Sequence, residues 1–351
     1  MTNTADLLSK VDFDGALVYA IPMRTRFRGI EVREGMLLRG PAGWGEFCPF
    51  PEYDDRTAAS WLATVVEACV VGWPEPVRDR VPLNCTVPAV GPDRAYEIAA
   101  GSGCRTAKVK VADHPDSLDE DMARVEAVRD ALGPGGAIRV DANAAWDVDT
   151  AVRHIRALDR AAGGLEYAEQ PCRTVEELAL VRRRVDVRIA ADESIRRAED
   201  PLRVAVAGAA DIAVIKCTPL GGVRRSLHVA EAAGLPCVVS SALETSVGLA
   251  ASLALAGALP ELDLACGLGT LSLLRGDTVA EHAAFRPEGG YLPVPRVAPE
   301  PDPEALATAT PADPERVRWW RDRLARARAE LERDPGRYGL TCRTLSGKWS
   351  G

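Results

Sequence analysis

Between residues 82 and 267 the chain keeps a beat, in which short β-prone, mostly apolar runs alternate with stretches of helical character. The runs fall at 82–87, 107–111, 137–141, 165–169, 188–192, 211–216, 236–240 and 262–267. Helices are expected between them at 117–132, 148–162, 175–185, 223–233 and 247–259. Thr174 ahead of Glu176 and Glu177, and Asp147 with Asp149, are helix-start signals. Ile212-Ala213-Val214-Ile215 and Cys237-Val238-Val239 lack polar alternation, as parallel strands covered on both faces do. Eight such strands with intervening helices specify an α/β fold of the (β/α)8, TIM-like kind. A doubly wound open sheet is the rival, but no Gly-x-Gly-x-x-Gly follows the first strand.

Residues 1–80 do not share the beat. Strands are expected at 13–20, 29–33 and 35–39, with a turn near Arg33-Glu34-Gly35, followed by a helix over 56–71. The barrel is expected to occupy 81–283. In 284–351 a proline-rich stretch leads to a helix on which Val317, Trp320, Leu324, Ala327 and Leu331 recur at helical spacing. That helix is Arg-rich, but its apolar stripe and interleaved acids describe a packed surface helix rather than a nucleic-acid contact.

A net charge of −8 and the absence of a basic stripe with aromatics argue against nucleic acid as a partner. No run approaches the ~20 apolar residues that cross a bilayer, so no membrane partner is expected. Residues 1–10 lack the basic start and apolar core of a secretory signal, and the expectation is a cytoplasmic protein. The nine cysteines form no Cys-x-x-Cys pair, so neither a disulfide framework nor thiolate zinc is expected.

Barrels carry their chemistry at the carboxyl ends of their strands. Those ends are Lys108-Val109-Lys110, Asp141-Ala142-Asn143, Glu169-Gln170-Pro171, Asp192-Glu193-Ser194 and Lys216. The steps from 110 to 141, 169, 192 and 216 are each about one βα unit, so successive strands aim these residues at one mouth. Three carboxylates that close raise one another's pKa unless a cation joins them. An all-oxygen set selects Mg²⁺ or Mn²⁺. Lys108 and Lys110, two apart on a strand, face one way, and a lysine base needs a depressed pKa, which a neighbouring ammonium supplies. Alternatives remain open from the residues alone. The acids could be ordinary strand-end groups, the lysines could point outward with Val109 and Val111 as the core face, and Lys216 could be a Schiff-base nucleophile.

The ordered set of these five motifs, with Trp44-Gly45-Glu46 upstream, resembles the enolase superfamily and its muconate-lactonizing subgroup. The resemblance runs from about residue 11 to residue 274. It implies an α+β capping domain built from 1–80 and part of 284–351, closing over the barrel through loops 23–30 and 50–53. It implies Lys110 as base, Lys216 on the opposite face, Lys108 in support, and Asp141, Glu169 and Asp192 as Mg²⁺ ligands. Members with a His base are disfavoured, because His114, His154, His228 and His282 all fall in helices or loops. Dipeptide epimerases of the subgroup carry Asp-x-Asp at the eighth strand, whereas here Asp263 is followed two residues on by Ala265.

The seventh and eighth strand ends, Ser240-Ser241-Ala242-Leu243-Glu244-Thr245-Ser246 and Gly267-Leu268-Gly269-Thr270, resemble those of the subgroup's menaquinone-pathway dehydratases. The implied substrate is a small carboxylate bearing a succinyl tail, with racemisation of N-succinylamino acids as the alternative activity. Asn143, Ser240, Ser241, Gly267, Leu268 and Gly269 are the expected substrate contacts. Arg26 and Arg28 read as surface residues. No feature fixes an oligomeric state.

Overall fold

A computed structural model describes residues 4–196, 204, 207–309, 311 and 313–340. The N-terminal part opens with an antiparallel sheet of β1 (Asp12–Phe27), β2 (Ile30–Gly40) and β3 (Gly43–Phe47), in that order. The hairpin turn lies at Arg28-Gly29, where φ is 52° and 79°, and not at Arg33-Glu34-Gly35 as the sequence suggests. Two successive residues with positive φ make the twist-compatible two-residue turn. Gly35 instead lies inside β2, where a Cβ would stand 2.6 Å from Cys48 Cβ and 2.7 Å from the Tyr19 hydroxyl. Its missing side chain serves close packing. The helix Asp55–Val66 follows, capped by Asp54, which accepts from Thr57 N at 2.8 Å. It continues as a wider π-helical turn over Glu67–Val71.

The remaining strands are β4 (Arg80–Pro82), β5 (Asn84–Val87), β6 (Thr106–Lys110), β7 (Ala137–Asp141), β8 (Tyr167–Glu169), β9 (Ile189–Ala191), β10 (Ile212–Ile215) and β11 (Cys237–Val239). β5 to β11 form one parallel sheet, each strand paired with the next. The run expected at 82–87 is split. β4 pairs antiparallel with Tyr291–Pro293, and Leu83 N donates to Gly290 O at 2.8 Å. The run at 262–267 closes the barrel only at its end, through bridges from Cys266 to Leu83 and from Gly267 to Ser240. Ahead of that point the Ala265 carbonyl accepts from Arg139 Nη1 at 2.6 Å, so a side chain occupies the acceptor that a ladder would use.

The expected helices form over Leu118–Leu132, Val148–Ala162, Val175–Arg182, Val223–Ala233 and Ser246–Ala258. A further helix, Pro92–Gly101, carried too weak an apolar stripe to be read, burying only Ala95 and Ala99. The core between sheet and helices is aliphatic, with Val109, Ile138, Val140, Ile189 and Ile215 all within 1% exposure. The result is a TIM-like α/β fold with an N-terminal capping domain.

The helix Pro314–Arg333 returns to pack on Asp55–Val66. Trp320 meets Phe47 edge-to-face at 6.2 Å, and Arg323 donates to the carbonyls of Phe50 (3.0 Å) and Tyr53 (2.6 Å). Arg316 and Arg326 likewise pair with Glu34 and Asp55 of the N-terminal part. The eight described cysteines are free thiols, and Cys342 lies outside the described residues. No helix among the described residues is long and apolar enough to cross a membrane.

Candidate active site

Strand register brings the polar ends together. Lys110 pairs with Asp141 across β6 and β7, and Asp141 with Glu169 across β7 and β8. Asp192 follows β9 directly, and Lys216 follows β10. Lys108 Nζ lies 3.1 Å from both Glu169 oxygens and 3.3 Å from Asp141 Oδ2. Lys110 Nζ lies 2.5 Å from Asp141 Oδ2 and 2.7 Å from Asn143 Oδ1. Lys216 Nζ lies 2.5 Å from Asp192 Oδ2. Val109 is also buried, but against the helices, so the strand has two covered faces and its lysines take the inner one.

Gln170, uncharged and without a spacing signal of its own, ties two strand ends together. Its Oε1 accepts from Asp192 N (2.9 Å) and Ser194 N (3.1 Å), while its Nε2 donates to Cys172 O and Ser194 Oγ. Its φ is 38°, and Ala112, Asn143, Ala144 and Leu243 share the left-handed region at neighbouring strand ends. Non-glycine residues held this way cost energy that the surroundings must offset, and such strain gathers at functional sites.

The electrostatics divide the two β6 lysines. Burial lowers the pKa of Lys110 and Lys108 adds to the effect, with Asp141 opposing. Burial also works against charge on Lys108, but Glu169 and Asp141 outweigh it and hold that ammonium above the ordinary lysine range. Burial would raise Asp141, yet Lys110 and Lys108 hold it below the usual carboxylate range. Glu169 is pushed up to about 7 by burial and then by the Asp141 carboxylate. Groups this close with opposed shifts are how acid and base roles separate.

Among the described residues no three His, Cys, Asp or Glu side chains gather tightly enough to hold an ion. The ammonium of Lys108 stands between Asp141 and Glu169, and that of Lys216 against Asp192. The donor set nonetheless suits a hard divalent cation. It consists of three carboxylates at most 1% exposed, all oxygen, and Glu169, raised first by burial, is raised further by the Asp141 carboxylate beside it.

A cleft of about 1250 Å³ opens beside Lys110, bordered by Arg26, Arg28, Ala144, Arg173 and Glu193. It leads to a narrow inner chamber lined by Lys108, Lys110, Lys216 and Asn143 from the barrel. The chamber's far wall is Ser240 to Leu243 with Gly267, and Phe27, Arg28 and Phe50 reach it from the capping part. Leu268 and Gly269 do not line it. Leu268 is buried in the barrel core, and Gly269 leads into the turn Thr270–Leu273, whose Thr270 takes the lining position. Arg28 is engaged within the capping part, 2.7 Å from the Tyr53 hydroxyl and stacked on Phe50. None of the four histidines borders either space.

The Trp44-Gly45-Glu46 motif ends in a buried carboxylate that reaches across to the barrel. Glu46 accepts from Tyr19 Oη (2.6 Å), Thr245 N (3.0 Å), Thr245 Oγ1 (2.5 Å) and Gly248 N (2.8 Å), so it caps the helix Ser246–Ala258.

The chain matches the enolase C-terminal domain-like family over residues 92–299 and the enolase N-terminal domain-like family over 18–69. It is 62% identical to the o-succinylbenzoate synthase of Thermobifida fusca, over 91% of this chain and 98% of that one. It is 53% identical to the o-succinylbenzoate synthase of Mycolicibacterium smegmatis, over 94% and 99%. Its fold is similar to that of muconate lactonizing enzyme from Pseudomonas fluorescens, with TM-score 0.72 at 22% identity over 85% and 98% of the two chains. Strand-end motifs, paired lysines and these likenesses converge: the chain belongs to the enolase superfamily, in the family of its o-succinylbenzoate synthase relatives.

Proposed function

We propose that the chain is an o-succinylbenzoate synthase. It eliminates water in a syn sense from 2-succinyl-6-hydroxy-2,4-cyclohexadiene-1-carboxylate, a carbon–oxygen lyase step of menaquinone biosynthesis in the cytoplasm. What carries the reading is the 62% identity, over nearly the whole of both chains, to a synthase of that name. The alternative, N-succinylamino acid racemase activity, has no such support among the named relatives. The same reading divides the chain into a capping domain, 1–80 joined by part of 284–351, and a catalytic barrel, 81–283.

Lys110, with its depressed pKa and its place beside the open cleft, takes the proton next to the substrate carboxylate. It then returns that proton to the departing β-hydroxyl on the same face. Lys216, set against Asp192, stays cationic and stabilises the anionic intermediate without moving a proton. Lys108 keeps its charge between Glu169 and Asp141, supporting Lys110 and the substrate carboxylate. Asp141, Glu169 and Asp192 would hold Mg²⁺ or Mn²⁺, which would supply positive charge against the extra negative charge that proton removal places on the substrate carboxylate. On this reading Ser240, Ser241 and Gly267, which line the inner chamber, take the succinyl side of the substrate, and Asn143 contacts it beside Lys110.

The direct test is turnover of the cyclohexadiene acid by the purified chain, with and without chelator. Activity abolished by EDTA and restored by Mg²⁺ or Mn²⁺ is expected. Full activity in EDTA would refute the ligand assignment, and no activity under any metal would refute the function.

A further inference from the structure

Arg33 is a buried cation that the chemistry above does not use. It sits on β2 of the capping part, 1% exposed. Its guanidinium lies 4.6 Å from the centre of the Phe50 ring and 5.9 Å from that of Trp61. Nε donates to the Leu243 carbonyl at 2.8 Å, and Nη2 to the carbonyls of Ala242 (3.2 Å) and Cys48 (2.5 Å). Two of these acceptors lie some 210 residues away on the loop after β11, which forms the chamber's far wall.

That loop does not hold its shape by ordinary backbone preference. Leu243 has φ 67°. Its own bonds close a tight knot: Ala242 N donates to Glu244 Oε2 at 2.8 Å, and Leu243 N donates to Ser241 Oγ at 2.8 Å. The knot leaves the Ala242 and Leu243 carbonyls turned toward the capping part, where the planar fork of an arginine matches two adjacent acceptors. A second contact between the two parts, Glu67, is built differently. It accepts from Val223 N, Arg224 N and the Arg224 side chain at the start of the helix Val223–Ala233, and it does not border the chamber.

We infer that Arg33 is a positioning residue for substrate, holding the Ser240–Leu243 wall of the chamber in its binding shape from the capping side. The inference rests on the proposed function only for its kinetic arm. It makes the two contacts separable, one shaping the pocket and the other joining the two parts at a distance from it.

Arg33→Lys keeps the charge but cannot span both carbonyls. It is expected to raise KM for the cyclohexadiene acid about tenfold or more while kcat falls less than about threefold, because the lost contact shapes binding more than chemistry. Amide hydrogen exchange in a peptide spanning 240–245 should quicken about tenfold, with the helix Val223–Ala233 unchanged. Glu67→Gln should show the converse, faster exchange at 223–224 with unchanged KM. Trp61→Phe loosens the guanidinium from its far side and should move both readouts of Arg33→Lys in the same direction by a smaller factor, which keeps the test open if Arg33→Lys fails to fold. Unchanged exchange at 240–245 overturns the inference. Faster exchange with unchanged KM also overturns it, since the loop would then be held for stability alone. Should the wild-type chain prove inactive on this substrate, the proposed function falls, and the exchange arm alone decides whether Arg33 holds the loop.

Discussion

Glu169→Gln should make the metal-free protein more stable while ending its activity. Glu169 is 1% exposed, and its carboxyl is raised from the usual 4.5 to about 7, by burial first and the Asp141 carboxylate second. For an acid whose folded pKa lies above its unfolded one, the folded state binds more protons between the two values. Stability is therefore lost as pH rises from about 4.5 to about 7 and stays lost above that. At about 1.4 kcal/mol per unit, the shift corresponds to roughly 3 kcal/mol against folding once Glu169 is ionised. Glutamine keeps an acceptor for Lys108 without the charge, and Lys108 retains Asp141. In EDTA at pH 8 the variant should therefore melt roughly 3–5 °C above wild type, and at pH 4 the two should coincide. Added Mg²⁺ should narrow the gap by stabilising wild type, in proportion to its occupancy. The assay is thermal unfolding across pH with and without metal, alongside turnover. A variant less stable than wild type at pH 8 in EDTA would refute the claim that this carboxylate is under-compensated in the metal-free mouth.

Lys110→Ala should abolish dehydration, while Lys216→Arg, which keeps a charge at the face opposite the base but does not exchange protons, should retain some of it. The same Lys216→Arg protein should show no racemisation of N-succinylamino acids, read as α-deuterium uptake from D₂O; racemisation retained with dehydration lost would invert the two roles. Glu46→Gln sets an amide donor among the Tyr19, Thr245 and Gly248 donors that the carboxylate accepts, and should cost about 2–3 kcal/mol in urea unfolding.

The strand-end set was legible because two short-range rules define it. Side-chain parity puts Lys108 and Lys110 on one face, and the βα period puts Asp141, Glu169 and Asp192 at one end. The residues that hold the site together obey neither rule. Glu46 meets Thr245, and Arg33 meets Leu243, across about 200 residues of chain, and a single buried ion leaves no periodic trace. Gly35 misled for a related reason, since a glycine that admits a neighbour and one that makes a turn look alike in one dimension. Leu268 is expected at the substrate from the resemblance of the eighth strand end, but a resemblance in one dimension does not tell that its side chain goes to the core.

The seating of Pro314–Arg333 on Asp55–Val66 has a consequence during synthesis. Phe47 and the helix after it leave the ribosome early, while Trp320, which covers Phe47, emerges only after the barrel strands. Some 250 residues separate the two helices, a delay on the order of ten seconds to a minute at ordinary elongation rates. Throughout that interval the nascent chain carries an uncovered aromatic face, and only near its end, once residues 266 and 267 have emerged, can the barrel beside that face close. A chaperone that binds exposed apolar surface would find its target there, and release would coincide with arrival of the last helix.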